Sequence, residues 1–96
     1  MEKAEATKHA YQRAKERLSW KKRTLDRMMQ KALDEGITHA DTVGRLNDYI
    51  TSIWKQYERA NNIRIYGENI YLFRFNKLIT LYRLPTELTK HVKNFK

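Results

Sequence analysis

The sequence predicts an α+β fold: three N-terminal helices followed by a three-stranded antiparallel β-meander. Apolar residues recur at helical spacing through the first two-thirds of the chain. From Asn62 the spacing changes to strict alternation, with β-branched and aromatic residues prominent. Punctuation is sparse, with one proline and three glycines in 96 residues, so the breaks between elements stand out.

The first helix is expected over about residues 5–18, where Ala6, Ala10, Ala14 and Leu18, with Tyr11, form one stripe. Ser19 interrupts the stripe and is a suitable N-cap for a second helix over about 20–35. Its buried face is Leu25, Met28, Met29, Ala32 and Leu33. Gly36 ends it at a position expected to need a positive φ, with Ile37 folding back onto the last turn. Asp41 is expected to cap a third helix over about 42–60, carrying Val43, Leu46, Ile50, Ile53, Trp54 and Tyr57, and Asn61-Asn62 end it. Strands follow over about 62–66, 70–75 and 78–84, joined by Gly67-Glu68-Asn69 and by a tight turn at Asn76-Lys77. Pro85 stops the last strand, and 86–96 reads as a basic tail.

At 96 residues the chain is expected to be a single domain, residues 1–96. The 20 Lys and Arg outnumber 11 acids, a formal charge of +9, which favours an anionic partner, most often nucleic acid. Cysteine is absent, which excludes disulfides, thiol catalysis and zinc–thiolate sites. No apolar run is long enough to cross a bilayer and no apolar signal region opens the chain, so a cytoplasmic protein with no membrane partner is expected. The three histidines lie far apart, the acids do not cluster, and no glycine loop cradles a phosphate. No metal and no cofactor is expected.

A turn at Asn76-Lys77 would pair Phe75 with Leu78, Phe73 with Thr80 and Tyr71 with Tyr82. One sheet face would then hold Ile63, Ile65, Ile70, Leu72, Ile79 and Leu81, and should pack on the helices. The other would hold Arg64, Tyr66, Tyr71, Phe73, Phe75, Thr80 and Tyr82. Two readings of that second face stand side by side. It is a base-stacking surface bordered by cations, or a second hydrophobic layer covered by a helix, the tail or another subunit.

His9, Arg13 and Arg17 repeat at i, i+4 and i+8, one row along the first helix, at the rim of its apolar stripe. A base with two bidentate phosphate ligands suits metal-free RNA cleavage, and a plain solvated basic face has the same pattern. Lys21-Lys22-Arg23 opposes the dipole of the helix it begins, so it should face solvent or an anion. The nucleic-acid-binding candidates are Lys21, Lys22, Arg23, Arg64, Tyr71, Phe73, Arg74, Tyr82 and Arg83.

The run Thr7-Lys8-His9-Ala10-Tyr11-Gln12-Arg13-Ala14-Lys15-Glu16-Arg17 resembles the His-Ala-x-x-Arg-x-x-x-Arg first helix of small phage and mobile-element proteins. Ala32-Leu33-Asp34-Glu35-Gly36 is similar to the end of their second helix. Ile65–Phe73 and Leu78-Ile79-Thr80-Leu81-Tyr82-Arg83-Leu84-Pro85 are similar to their strand signature. Those proteins look like distant members of the barnase, EndoU, colicin and RelE-like superfamily, many of them metal-independent ribonuclease toxins. The resemblance implies helices followed by a small antiparallel sheet. It implies His9 as general base or acid, Arg13 and Arg17 as phosphate anchors, Thr80 near the scissile phosphate, and Arg64 or Tyr82 in support.

The expected function is RNA binding, more than DNA, with metal-independent ribonuclease activity of the toxin kind. One alternative is a non-catalytic phage accessory protein that binds and inhibits a host or defence nucleoprotein. Another is a DNA-binding regulator whose second and third helices, around Gly36-Ile37-Thr38-His39-Ala40, form a helix-turn-helix. The oligomeric state is left open.

Overall fold

In the computed structural model, which describes residues 2–93, the alternating segment forms the centre of a five-stranded mixed sheet. The elements are β1 (Glu5–Ala6), α1 (Lys8–Leu18), α2 (Lys22–Glu35), β2 (Ile37–Thr38), α3 (Gly44–Gln56), β3 (Asn62–Tyr66), β4 (Asn69–Arg74), β5 (Lys77–Arg83) and α4 (Thr86–Lys93). The strand order is β1-β5-β4-β3-β2, with β1 parallel to β5 and the other pairs antiparallel.

The α+β class agrees with the expectation, and the detail differs. Among the described residues there are four α-helices, not three, and two-residue strands extend the meander at both edges. Residues 5–6, expected in the first helix, pair with β5, and α1 starts after Thr7, whose side chain accepts from the Ala10 N–H at 3.0 Å. Ser19 does not cap the second helix. It closes α1 in the left-handed conformation at φ 57°, and α2 starts after Lys21. Asp41 lies in a single 3₁₀ turn, His39–Asp41, and α3 follows Val43. The helix expected to reach residue 60 stops at Gln56. The expected basic tail forms α4 as far as Lys93, with Leu88 and Val92 in the core, and its last residues, 94–96, lie outside the described residues.

Both faces of the sheet are covered. Tyr71, Phe73, Leu78 and Leu81 pack under α1 and α2 against Ala10, Ala14, Leu25, Met29 and Ala32. Ile63, Ile65, Ile70 and Leu72 pack under α3 and α4 against Leu46, Ile50, Leu88 and Val92. The aromatic face is therefore a second hydrophobic layer, and Tyr71 and Phe73 are fully buried. As candidate stacking residues they are corrected: neither ring is accessible to a base. Removing such a side chain from water contributes roughly 1.5–3 kcal/mol, which explains why the larger helical pair covers these rings. Because α2 and α3 lie on opposite faces, they do not form a helix-turn-helix.

The register also differs from expectation. The hairpin turns at Phe75-Asn76, pairing Arg74 with Lys77 and Phe73 with Leu78. A bulge then puts Leu72 opposite Thr80 and Ile70 opposite Tyr82. Leu81 moves to the aromatic face, and Tyr82 moves to the face covered by α3 and α4.

Gly36 ends α2 for a reason other than the one expected. Its φ is −65°, and a Cβ there would lie 2.4 Å from the Ala32 carbonyl oxygen and 2.9 Å from the Arg64 Cβ. Glycine admits close packing of β3 against the end of the helix. Arg64 uses that approach: its guanidinium donates to the carbonyls of Leu33 (3.1 Å) and Gly36 (3.4 Å) and to Asn62 Oδ1 (2.9 Å). Half-buried, it caps the end of α2.

The Tyr11 hydroxyl donates to Asp26 Oδ1 at 2.5 Å and ties α1 to α2. That bond, with burial and the carboxylate charge, pushes the Tyr11 phenol from 10.0 up to about 12. A phenol raised in the fold stabilises it fully below the unfolded value and stops doing so as pH rises through the folded value. Stability should therefore fall between about pH 10 and 12, and urea titrations at stepped pH should show a shallower fall in Tyr11→Phe.

Candidate nucleic-acid interface

β1 covers the outer edge of β5 only at Lys77 and Leu78. From Ile79 onward that edge faces α1. A sheet edge presents unpaired backbone groups, and α1 supplies partners: the Thr7 hydroxyl donates to the Ile79 carbonyl (3.5 Å) and Arg17 Nη1 to the Leu81 carbonyl (3.1 Å). The same Nη1 donates to Thr80 Oγ1 at 3.2 Å, and Arg17 Cζ sits 4.1 Å from the centroid of the Tyr82 ring. Two sequence candidates 63 residues apart, Arg17 and Thr80, are thus in direct contact. Thr80 itself is buried, at 1% exposure, so it orients Arg17 from below.

His9, Arg13 and Arg17 follow one another along α1 as their spacing requires. Arg13 Nε donates to His9 Nε2 at 3.1 Å. Arg13 Nη1 also pairs with Glu16 Oε1 at 3.2 Å, an exposed i,i+3 contact of small energy. Of the three, Arg13 alone is held by a carboxylate.

The opposite wall comes from the loop after α3. Two adjoining hollows, of about 600 and 260 Å³, share His9, Arg59 and Ile79 in their linings. The larger adds Lys55, Gln56, Tyr57 and Glu58, and the smaller adds Thr7, Arg74 and Lys77. The loop is fixed by the Trp54 indole N–H donating to the Ala60 carbonyl (3.1 Å) and the Ala60 N–H donating to the Tyr57 carbonyl (2.9 Å). Arg74 Nη1 donates to the Arg59 carbonyl at 2.9 Å. The Tyr82 hydroxyl donates to that of Tyr57, with ring centroids 5.8 Å apart. Burial, reinforced by Tyr57, pushes the Tyr82 phenol above the usual tyrosine range, and Arg17 pulls it the other way. Tyr82 is therefore protonated at neutral pH.

The structure gathers His9, Arg13, Arg17, Thr80, Tyr82 and Arg74 along this side, with Arg83 exposed one residue beyond Tyr82. Tyr57, Arg59 and Lys77 were not singled out from the sequence. Tyr57 reads as part of the apolar stripe of α3, and Arg59 as a solvated last turn, because nothing in the spacing shows the helix stopping at Gln56. The polar run Lys55–Arg59 followed by Asn61-Asn62 is the available signal.

Lys21, Lys22 and Arg23 lie elsewhere. Lys21 and Lys22 line a hollow of about 920 Å³ between α1 and α2, with Tyr11, Trp20 and Leu25. Arg23 lines another beside Asp26 and Arg27. The 920 Å³ hollow is lined by no histidine or carboxylate, so the smaller cationic hollows with His9 are the better candidate for chemistry. Only two ion pairs form among the described residues, Arg13–Glu16 and Arg45–Glu87, so most of the cationic excess is not neutralised internally. Among the described residues no three His, Asp or Glu side chains gather as a metal site, and no helix is long and apolar enough to cross a membrane. No family model, curated protein or solved structure matches the chain.

Proposed function

We propose that the hollow between α1 and the outer edge of β5 binds RNA and cleaves it without a metal ion. One observation carries the reading. His9, at the start of the His9–Arg13–Arg17 row, lines the same hollows as Arg59, Arg74 and Lys77, and Tyr57 in the larger hollow is hydrogen-bonded to Tyr82, on whose ring Arg17 rests. A base, an acid and several cations suffice when the nucleophile is built into the substrate, as the 2′-hydroxyl is in RNA and is not in DNA. The resemblance to metal-independent ribonuclease toxins supports the same reading.

In this reading His9 Nε2 takes the 2′-hydroxyl proton while the 2′-oxygen attacks phosphorus. Arg13 exchanges its bond to His9 for one to a phosphate oxygen. Arg17, whose Nη1 is held by Thr80 and the Leu81 carbonyl, offers other N–H donors to the charge developing in the transition state. The Tyr82 hydroxyl gives its proton to the departing 5′-oxygen. The products are a 2′,3′-cyclic phosphate and a 5′-hydroxyl. Incubating the protein with single-stranded RNA in excess chelator is expected to yield fragments with those ends. Binding without cleavage would remove the catalytic half of the proposal and leave the binding half.

A second reading, the non-catalytic accessory protein, is favoured by the 920 Å³ hollow, where Tyr11, Trp20 and Leu25 are rimmed by Lys8, Lys15, Lys21 and Lys22. An apolar floor with a basic rim suits an acidic protein surface. It predicts a partner captured from lysate after nuclease treatment and lost in Trp20→Ala.

A further inference from the structure

The β4–β5 hairpin turns on a phenylalanine in a backbone conformation that L-residues avoid. Phe75 has φ 59°, and its ring is 64% exposed. A turn with positive φ at its first central position normally takes glycine, and burial does not explain the ring, because it touches neither core. Three asparagines hold the strained turn in place. The Phe75 N–H donates to Asn61 Oδ1 (2.8 Å), Asn62 Nδ2 donates to the Phe75 carbonyl (3.2 Å), and Asn76 Nδ2 donates to the Lys3 carbonyl (2.8 Å). Strain that is clamped this firmly usually serves a site.

The ring stands beside the cationic hollow. Arg74 links the two: its Cζ lies 5.4 Å from the Phe75 ring centroid, and its Nη1 donates to the Arg59 carbonyl. Arg74, Arg59, Lys77 and His9 line the smaller hollow together. An exposed aromatic ring one side chain away from a phosphate-sized cluster of cations is the arrangement that binds a nucleotide of a single strand, since a base is free to stack only when unpaired.

We propose that Phe75 is the stacking platform for an unpaired base whose phosphate lies on Arg74, Arg59 and Lys77, so that the ligand is single-stranded. The inference rests on the RNA reading of the hollow and adds the strand state and the binding register. Phe75→Gly removes the ring and also relieves the backbone, so a loss of binding at a level or higher Tm does not come from unfolding. The probes are a short single-stranded RNA, 2′-O-methylated to prevent cleavage, and a blunt duplex of the same length.

Wild type is expected to prefer the single strand. Phe75→Gly is expected to weaken single-strand binding about tenfold, within the range of base–aromatic stacking, while its Tm stays level or rises and duplex binding is unchanged. Phe75→Tyr should bind as wild type does. Unchanged single-strand affinity in Phe75→Gly overturns the stacking role and leaves the hollow's reading standing. So does loss of a wild-type dimer in that variant with RNA binding intact. Failure of wild type to bind either RNA overturns both.

Discussion

His9→Ala is expected to lower RNA cleavage by roughly 10²–10⁴-fold, the usual contribution of a positioned acid–base group. Affinity for a non-cleavable RNA should change by less than about threefold, because the surrounding arginines and lysines supply most of the phosphate attraction. Stability should not change, since His9 is exposed and its hydrogen bond is to Arg13 on the same helix. The separation of rate from affinity is the informative part. If His9 were only one more polar group on a basic helix, rate and affinity would fall together or not at all. His9→Gln keeps a polar side chain there and should be as inactive as the alanine variant.

The second large effect falls on the fold. Phe73→Ala is expected to cost about 3–5 kcal/mol, because the ring is wholly enclosed between the sheet and α1–α2 and leaves a cavity when removed. That is a large share of the roughly 5–15 kcal/mol that holds a domain together. A urea titration should find the variant near the limit of folding, whereas Phe73→Leu, which keeps most of the volume, should fold and bind RNA like wild type. A stable Phe73→Ala with selectively impaired RNA binding would mean that the aromatic face is open.

Phe73 also shows how far the sequence could be read. Alternation identifies the strands and separates an aliphatic face from an aromatic one, but it does not say which helices cover which face. The answer lies in pairings such as Tyr11 with Asp26 and Arg64 with the end of α2, which join residues 15 and 31 apart in the chain. Register was legible only up to the turn. The Asn61 clamp on the Phe75 N–H acts across 14 residues, and with it the turn moves by one position. The bulge near Ile79 then sends Tyr82 to the face where Tyr57 waits.

The candidate site was legible as a row, because helical spacing alone aligns His9, Arg13 and Arg17. Its second wall was not, since Arg59 and Lys77 join it only through the α3–β3 loop and the hairpin. β1 and β2, at two residues each, are too short to carry a period at all. The segment read as a basic tail because its charge stands out, and the spacing of Leu84, Leu88 and Val92, all buried, is the signal for α4 that this reading passed over.

In the proposed function one concave side of the molecule holds the polyanion. Two charge-matched triple variants test it: Arg17→Gln with Arg59→Gln and Arg74→Gln, against Lys21→Gln with Lys22→Gln and Arg23→Gln. Each removes three positive charges, and circular dichroism confirms that each is folded. The dependence of single-strand RNA affinity on salt is then measured for both. The first triple should bind far more weakly, and its slope of log K against log salt should shrink by about 2, near 0.7 for each phosphate that is no longer neutralised; the second should stay close to wild type. Equal weakening in the two would mean that diffuse net charge, not the α1–β5 hollow, attracts the nucleic acid.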